Sequence, residues 1–103
     1  MTKVKGFRVS KGDLVKFKLF AIQKNLKQSE LYLKACDDFI DMSYEEQSKV
    51  LRHRNDDLDS EVQQTIRIDK EMSKELNIAA IRHNVYIGEL ILSTVRDYVE
   101  RNS

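Results

Sequence analysis

Gly6-Phe7-Arg8-Val9-Ser10 and, 59 positions later, Thr65-Ile66-Arg67-Ile68-Asp69 decide how this chain is read. In each, apolar residues at i and i+2 alternate with polar ones, the pattern of a half-buried strand. The same offset carries on downstream without a gap. Residues 6–41 align with 65–100, keeping Arg8/Arg67, Lys11/Lys70, Ala21/Ala80, Asn25/Asn84, Glu30/Glu89, Leu31/Leu90, Leu33/Leu92 and Asp38/Asp97. Apolar character is kept at Phe7/Ile66, Val9/Ile68, Phe17/Leu76, Leu19/Ile78, Ile22/Ile81, Leu26/Val85, Phe39/Tyr98 and Ile40/Val99. Two copies of one unit, each of about 40 residues, are therefore expected, since a fixed internal period marks a repeated supersecondary unit.

After each strand comes a helix-period segment, 12–24 and 70–83. Its stripe is Leu14, Phe17 and Ala21 with Phe20 beside them in copy one, and Met72, Leu76, Ala79 and Ala80 in copy two. A second helix is expected over 28–41 and 87–101, with matched apolar positions 31/90, 32/91, 35/94, 36/95, 39/98 and 40/99. Only Thr94 breaks that stripe. The helices part at Asn25-Leu26 and Asn84-Val85, where Asn can take the left-handed conformation that ends a helix. Between the copies, Ser43-x-x-Glu46 reads as a capping box for a short helix from Tyr44 to Arg54. An acidic loop, 55–61, follows it. The expected organisation is a first unit over 1–41, a linker over 42–62 and a second unit over 63–103.

Composition bounds the rest. The 103 residues carry 18 Lys/Arg and 17 Asp/Glu, have no Pro, three Gly and one Cys, and are 41% apolar. One small, mainly helical domain fits these values. No apolar run is long enough for a membrane span, and no signal-peptide pattern opens the chain, so a cytoplasmic protein is expected. Lone Cys36 excludes an internal disulfide framework and fits a reducing compartment. The near-neutral net charge of +1 argues against a nucleic-acid binder until it is divided: +7 over residues 1–35, −6 over 36–62 and 0 over 63–103. The total conceals a basic first copy and an acidic linker.

One strand-helix-helix unit cannot stand alone, because a lone strand leaves its backbone groups unpaired and so short a chain buries too little surface. Two units solve both problems by pairing their strands antiparallel over four shared helices. At this point the chain resembles the ribbon-helix-helix DNA-binding family of the Arc/MetJ class. The resemblance rests on Gln63-Gln64-Thr65-Ile66-Arg67-Ile68 as ribbon and Tyr86-Ile87-Gly88-Glu89-Leu90-Ile91 as the opening of the second helix. Copy one has Lys27-Gln28-Ser29-Glu30-Leu31-Tyr32 at the latter place. Two copies in one chain look like the TraY-type tandem proteins of plasmid conjugation. Family members usually supply one copy per chain and dimerise. Strands at 5–10 and 64–69 are expected to pair within this chain; pairing between chains is the alternative.

The resemblance implies a two-stranded ribbon inserted into the major groove of double-stranded DNA. With Ile66 and Ile68 inward, Gln63, Thr65 and Arg67 face outward, and the same phase turns out Val4, Gly6 and Arg8. Arg8 and Arg67 lead as base readers, since Arg pairs bidentately with guanine, Gln with adenine, and Thr can meet a base or a thymine methyl. Unequal strands imply a site that is not palindromic, with several chains side by side on longer repeated sites. Phosphates are expected at the second-helix N-termini, near Lys27, Gln28 and Ser29 and near Tyr86, Ile87 and Gly88, with Lys5 also close to the backbone. Lys27 and Tyr86 stand where the family often has Ser or Thr. Asp13 against Met72 is another departure, consistent with a first helix that is rotated or starts later in copy one.

No cofactor and no metal are expected. His53 and His83 lack Cys or acid partners at ligand spacing, and the 55–61 loop has no Gly where a calcium loop needs one. Cys36 lies on an apolar stripe without a base partner, and Asp37-Asp38 read as a surface face. The chain does not read as an enzyme. The tandem arrangement implies a conjugation (relaxosome) accessory protein at an origin of transfer, partnered by a relaxase and able to repress its own promoter. A repressor unrelated to conjugation is the alternative. An antitoxin fits less well, because such chains usually add a toxin-binding tail and this one stops at Arg101-Asn102-Ser103. A helical protein-interaction module is the reading without DNA.

Overall fold

The computed structural model describes residues 2–52 and 62–103. Strand β1 (Thr2–Val9), helices α1 (Lys11–Gln23), α2 (Gln28–Ile40) and α3 (Tyr44–Arg52), strand β2 (Val62–Asp69), and helices α4 (Lys70–Arg82) and α5 (Ile87–Asn102) follow in that order. The chain is mainly helical around one two-stranded antiparallel sheet. His53, Arg54 and the acidic 55–61 loop lie outside the described residues.

Both strands begin earlier than alternation alone suggests, at Thr2 rather than residue 5 and at Val62 rather than 64. Lys3 and Lys5 interrupt the apolar half of the pattern, so the period fades while the hydrogen-bonded ladder continues. The register pairs Val4 with Arg67, Gly6 with Thr65, and Arg8 with Gln63. Gly6 and Thr65 are also equivalent in the internal repeat, so the pair marks a local twofold centre. Ser10 leaves the strand to cap α1, its Oγ accepting from the Asp13 N–H at 3.1 Å. Asp69 caps α4 at the equivalent place, its Oδ1 accepting from the Met72 N–H at 2.7 Å.

The two helix corners are built alike. Among the described residues, Asn25 (φ 56°) and Asn84 (φ 55°) are the ones with positive φ. Leu26 N–H reaches back to the Ala21 carbonyl at 2.8 Å, and Val85 N–H to that of Ala80 at 3.0 Å. Asn25 and Asn84 N–H reach Ile22 and Ile81 carbonyls at 3.1 and 3.2 Å. This double closure satisfies carbonyls that a helix end would orphan and turns the next apolar residue toward the core.

One core draws on both halves. Phe7, Val9, Ile66 and Ile68 supply the inner face of the sheet, and Leu31, Ala35, Cys36, Phe39, Leu90, Ile91 and Val95 the helix layer. Tyr32 meets Phe7 edge-on at 5.2 Å and Phe17 at 6.2 Å. Helix α5 packs on β1 and α2 on β2, so the second helix of each half covers the strand of the other. Cys36 is fully buried, and burial, with Asp37 adding to it, pushes its thiol up to about 12. It is a packing residue.

Helix α1 starts in register with α4, so the Asp13/Met72 difference marks no later start. Asp13 instead receives Arg96 of α5, with Nε at 2.7 Å and a second contact from the other guanidinium nitrogen. At the far end Arg101 joins Asp97 at 2.6 Å and Asp38 at 2.5 Å, bridging α5 to α2. Thr94 is buried and its Oγ1 has no hydrogen-bond partner among the described residues. Thr94→Val keeps the shape and removes that stranded hydroxyl. It should stabilise the fold by about 1 kcal/mol, a rise of roughly 4 °C in Tm. A Tm that falls in thermal unfolding contradicts this.

Helix α3 opens on the Ser43/Glu46 capping box, with both reciprocal bonds at 3.2 Å. Val50 and Leu51 are buried, while Tyr44 stacks on His83 with ring centroids 4.4 Å apart. Gln47 donates to the Phe39 carbonyl, and its Oε1 lies 3.0 Å from His83 Nε2. That acceptor assigns the imidazole proton to Nε2, leaving Nδ1 to face the Ser48 hydroxyl at 3.4 Å. Burial, and then neighbouring Arg82, hold His83 below its ordinary value of 6.5. The folded state therefore favours neutral imidazole, and the unfolded chain binds the proton more readily. This contribution is complete above pH 6.5 and is lost as pH falls through the lower folded value. Urea midpoints should drop between pH 7 and 5.5 in the wild type and drop less in His83→Gln; equal slopes contradict the assignment.

Candidate nucleic-acid interface

The outer face of the sheet is an exposed two-stranded ribbon. Val4, Gly6 and Arg8 on β1 and Gln63, Thr65 and Arg67 on β2 are all exposed. The register sets them as three cross-strand pairs, with Arg8 and Arg67 at opposite ends and on opposite strands. Their environments differ: Arg8 faces Gln63 and Arg67 faces Val4. The centre is uneven as well. A Cβ at Gly6 would collide with the carboxamide of Gln63, so this glycine leaves room for Gln63 to lie across the ribbon. These six expected base-contacting residues share one surface.

The expected phosphate contacts are divided. Lys27 and Ser29 are exposed at the start of α2, and Tyr86 is exposed before α5. First-turn amides have no intrahelical acceptor and carry the positive end of the helix dipole. Neither Lys27 nor Tyr86 caps its helix through the side chain. At α2 the Lys27 backbone N–H donates to Glu30 Oε1 at 3.1 Å, which leaves the Lys27 ammonium for other partners. Ile87 and Gly88 are half-buried. Gly88 brings the first turn of α5 against β1, where an added Cβ would stand 3.4 Å from the Gly6 carbonyl oxygen and 3.7 Å from Phe7 Cα. The α5 N-terminus therefore adjoins the edge of the ribbon. Lys5 is half-buried opposite Ile66, on the inward phase of β1, and stands apart from the outward row.

Sequence reasoning missed a connection behind the ribbon. Gln28 Nε2 donates to the Tyr32 hydroxyl at 2.9 Å, and that hydroxyl donates to Gln64 Oε1 at 3.3 Å. Gln64 Nε2 in turn donates to the Gln63 carbonyl at 3.2 Å. Burial pushes the Tyr32 hydroxyl up, with the Gln28 bond opposing. Gln28 is thus engaged inward, and the chain ties the first turn of α2 to the backbone beneath a ribbon residue. The available signal was Gln64, a polar residue on the buried phase of a strand.

Among the described residues no group of three His, Cys, Asp or Glu side chains could hold a metal ion. No described helix is long and apolar enough to cross a membrane. Comparison of the chain with protein-family models, with curated proteins and with solved structures finds no match in any of the three.

Proposed function

We propose that this chain is a sequence-specific double-stranded DNA-binding protein in which two ribbon-helix-helix units complete one another. Its ribbon lies in the major groove. The supporting observation is the register: one chain presents Arg8 and Arg67 about a local twofold centre at Gly6 and Thr65. Four residue steps separate the two arginines along the ribbon, about 13 Å at the usual strand rise. That span matches about four base-pair steps. The two arginines read guanines on opposite DNA strands, Gln63 reads an adenine at the Arg8 end, and Val4 meets a thymine methyl at the Arg67 end. Lys27 and the first-turn amides of α2 and α5 hold the phosphates. Such a site is not palindromic.

Marking an origin of transfer for a relaxase, with autorepression, is the role that the tandem arrangement resembles. Repression of unrelated genes would use the same ribbon. The test is selection from randomised duplexes at about 150 mM salt, followed by titration of the enriched sequence and a scrambled one. The expected result is a short asymmetric consensus with G·C pairs about four steps apart. No enrichment, or equal affinity for both duplexes, overturns the reading.

A further inference from the structure

Gln64 sits on the inward phase of β2, where a carboxamide needs partners, and its bonds run in one direction. The Gln63 carbonyl can only accept, so the group facing it at 3.2 Å is the Gln64 Nε2 donor. Oε1 is then turned toward Tyr32 and takes the phenolic proton at 3.3 Å. The phenolic oxygen is left to accept, and Gln28 Nε2 supplies it at 2.9 Å. Each amide orientation is fixed by the next group along, so the row of bonds has no equivalent reversed form. Tyr32 is 2% exposed, and its ring is held edge-on by Phe7 and Phe17, which fixes the place of the hydroxyl. The other half of the repeat has no counterpart. At the positions equivalent to Gln28, Tyr32 and Gln64 stand Ile87, Ile91 and Lys5. The bonds therefore lie at one end of the ribbon, where Gln63 faces Arg8, and the end where Val4 faces Arg67 is built from two isoleucines and a lysine instead.

We infer, resting on the DNA reading proposed above, that Tyr32 is a positioning residue that makes the Arg8–Gln63 end the stringently read end of the ribbon. Tyr32 touches no base. Through Gln64 it holds the Gln63 main chain from behind, at a distance set by the first turn of α2. That turn adjoins Lys27, one of the proposed phosphate contacts. In front, Gly6 leaves the space in which the Gln63 carboxamide lies across the ribbon. A base reader held at both its main chain and its side chain loses less freedom on binding, and it cannot shift to suit a wrong base. Ile87 and Ile91 have no side-chain hydrogen bond to give at the other end. Phosphate hold and base reading are thus coupled through hydrogen bonds at the Arg8–Gln63 end, and this coupling has no equivalent at the Arg67–Val4 end.

The test compares the wild type with Tyr32→Phe and Gln64→Met, which keep the ring and the side-chain length and so keep the fold, as thermal unfolding checks. Ile91→Val is the control: it disturbs the core at the place equivalent to Tyr32 and touches none of the bonds. In free protein, the carboxamide NMR signals of Gln28 and Gln64 should move in Tyr32→Phe and stay in Ile91→Val. Each chain is then titrated with the duplex selected by the wild type and with duplexes changed at one base pair. The wild type should prefer the selected base at Gln63 and at Arg67 by about 5- to 150-fold each. Tyr32→Phe and Gln64→Met should lower the preference at Gln63 by about fivefold or more and leave that at Arg67 within about twofold, and Ile91→Val should keep both. Unchanged preferences, equal loss at both ends, the same loss in Ile91→Val, or carboxamide signals that do not move overturn the inference while the DNA reading stands. A wild type that selects no sequence overturns the DNA reading, and the inference with it.

Discussion

If the chain binds DNA as proposed, replacing Arg8 and Arg67 together by alanine should remove its preference for the selected site and leave nonspecific binding nearly intact. Each arginine paired bidentately with guanine is worth about 1–3 kcal/mol of discrimination against the wrong base. The two lie at opposite ends of the ribbon and in the proposed complex would contact separate base pairs, so their effects should add. The expected loss is roughly 30-fold to 10⁴-fold in affinity for the selected site, with little change on a scrambled duplex. Arg8→Ala alone should relax the consensus at the end read with Gln63, and Arg67→Ala at the end next to Val4. The salt dependence should persist, because it reports phosphates, whereas the proposal assigns these two residues to bases. Both side chains are exposed, so the double variant should keep the wild-type Tm. Titrations at two salt concentrations check all of this. Steeply salt-dependent binding with undiminished preference in the double variant rules out the ribbon as the reading surface.

The second large effect is on stability. Phe7→Ala should destabilise the whole chain by about 3–5 kcal/mol, a large share of the 5–15 kcal/mol typical of a domain. Phe7 is 2% exposed, lies in β1 and meets Tyr32 of α2 edge-on. It also lies within reach of the first turn of α5 through Gly88. A cavity there loosens both halves together. Urea unfolding followed by circular dichroism and by tyrosine fluorescence should give one coincident transition, shifted to lower urea. Because β1 pairs with β2 of its own chain, the midpoint should not move with protein concentration. Two separate transitions, or a midpoint that rises steeply with concentration, would show that the halves do not complete one another.

Much of this architecture is legible in the residues because it rests on local periodicities. Alternation at 7–9 and 66–68 shows which strand residues face inward, and the outward phase of Arg8 and Arg67 follows from it. Stripes of period 3.6 locate four helices to within a residue or two. Asn25 and Asn84 mark both corners, since few other residues accept that backbone conformation. Ser43 and Glu46 announce α3 by the same kind of short-range chemistry. The strand starts were less legible, because Lys3 and Lys5 hide the alternation and the ladder to β2 continues regardless.

What the sequence by itself determined is the repeat, the face each element turns inward and the capping of its helices. The facing and the capping depend on residues within a few positions of one another, and the repeat is two such local patterns set 59 positions apart. Tertiary structure alone decided which strand residues oppose each other, and hence that Gln63 stands beside Arg8 while Val4 stands beside Arg67. It also decided that Asp13 answers Arg96 across 83 positions, and that Gln28, Tyr32 and Gln64 join behind the ribbon. Contacts of that kind arise only when packing brings distant side chains together, and no local period encodes their distance.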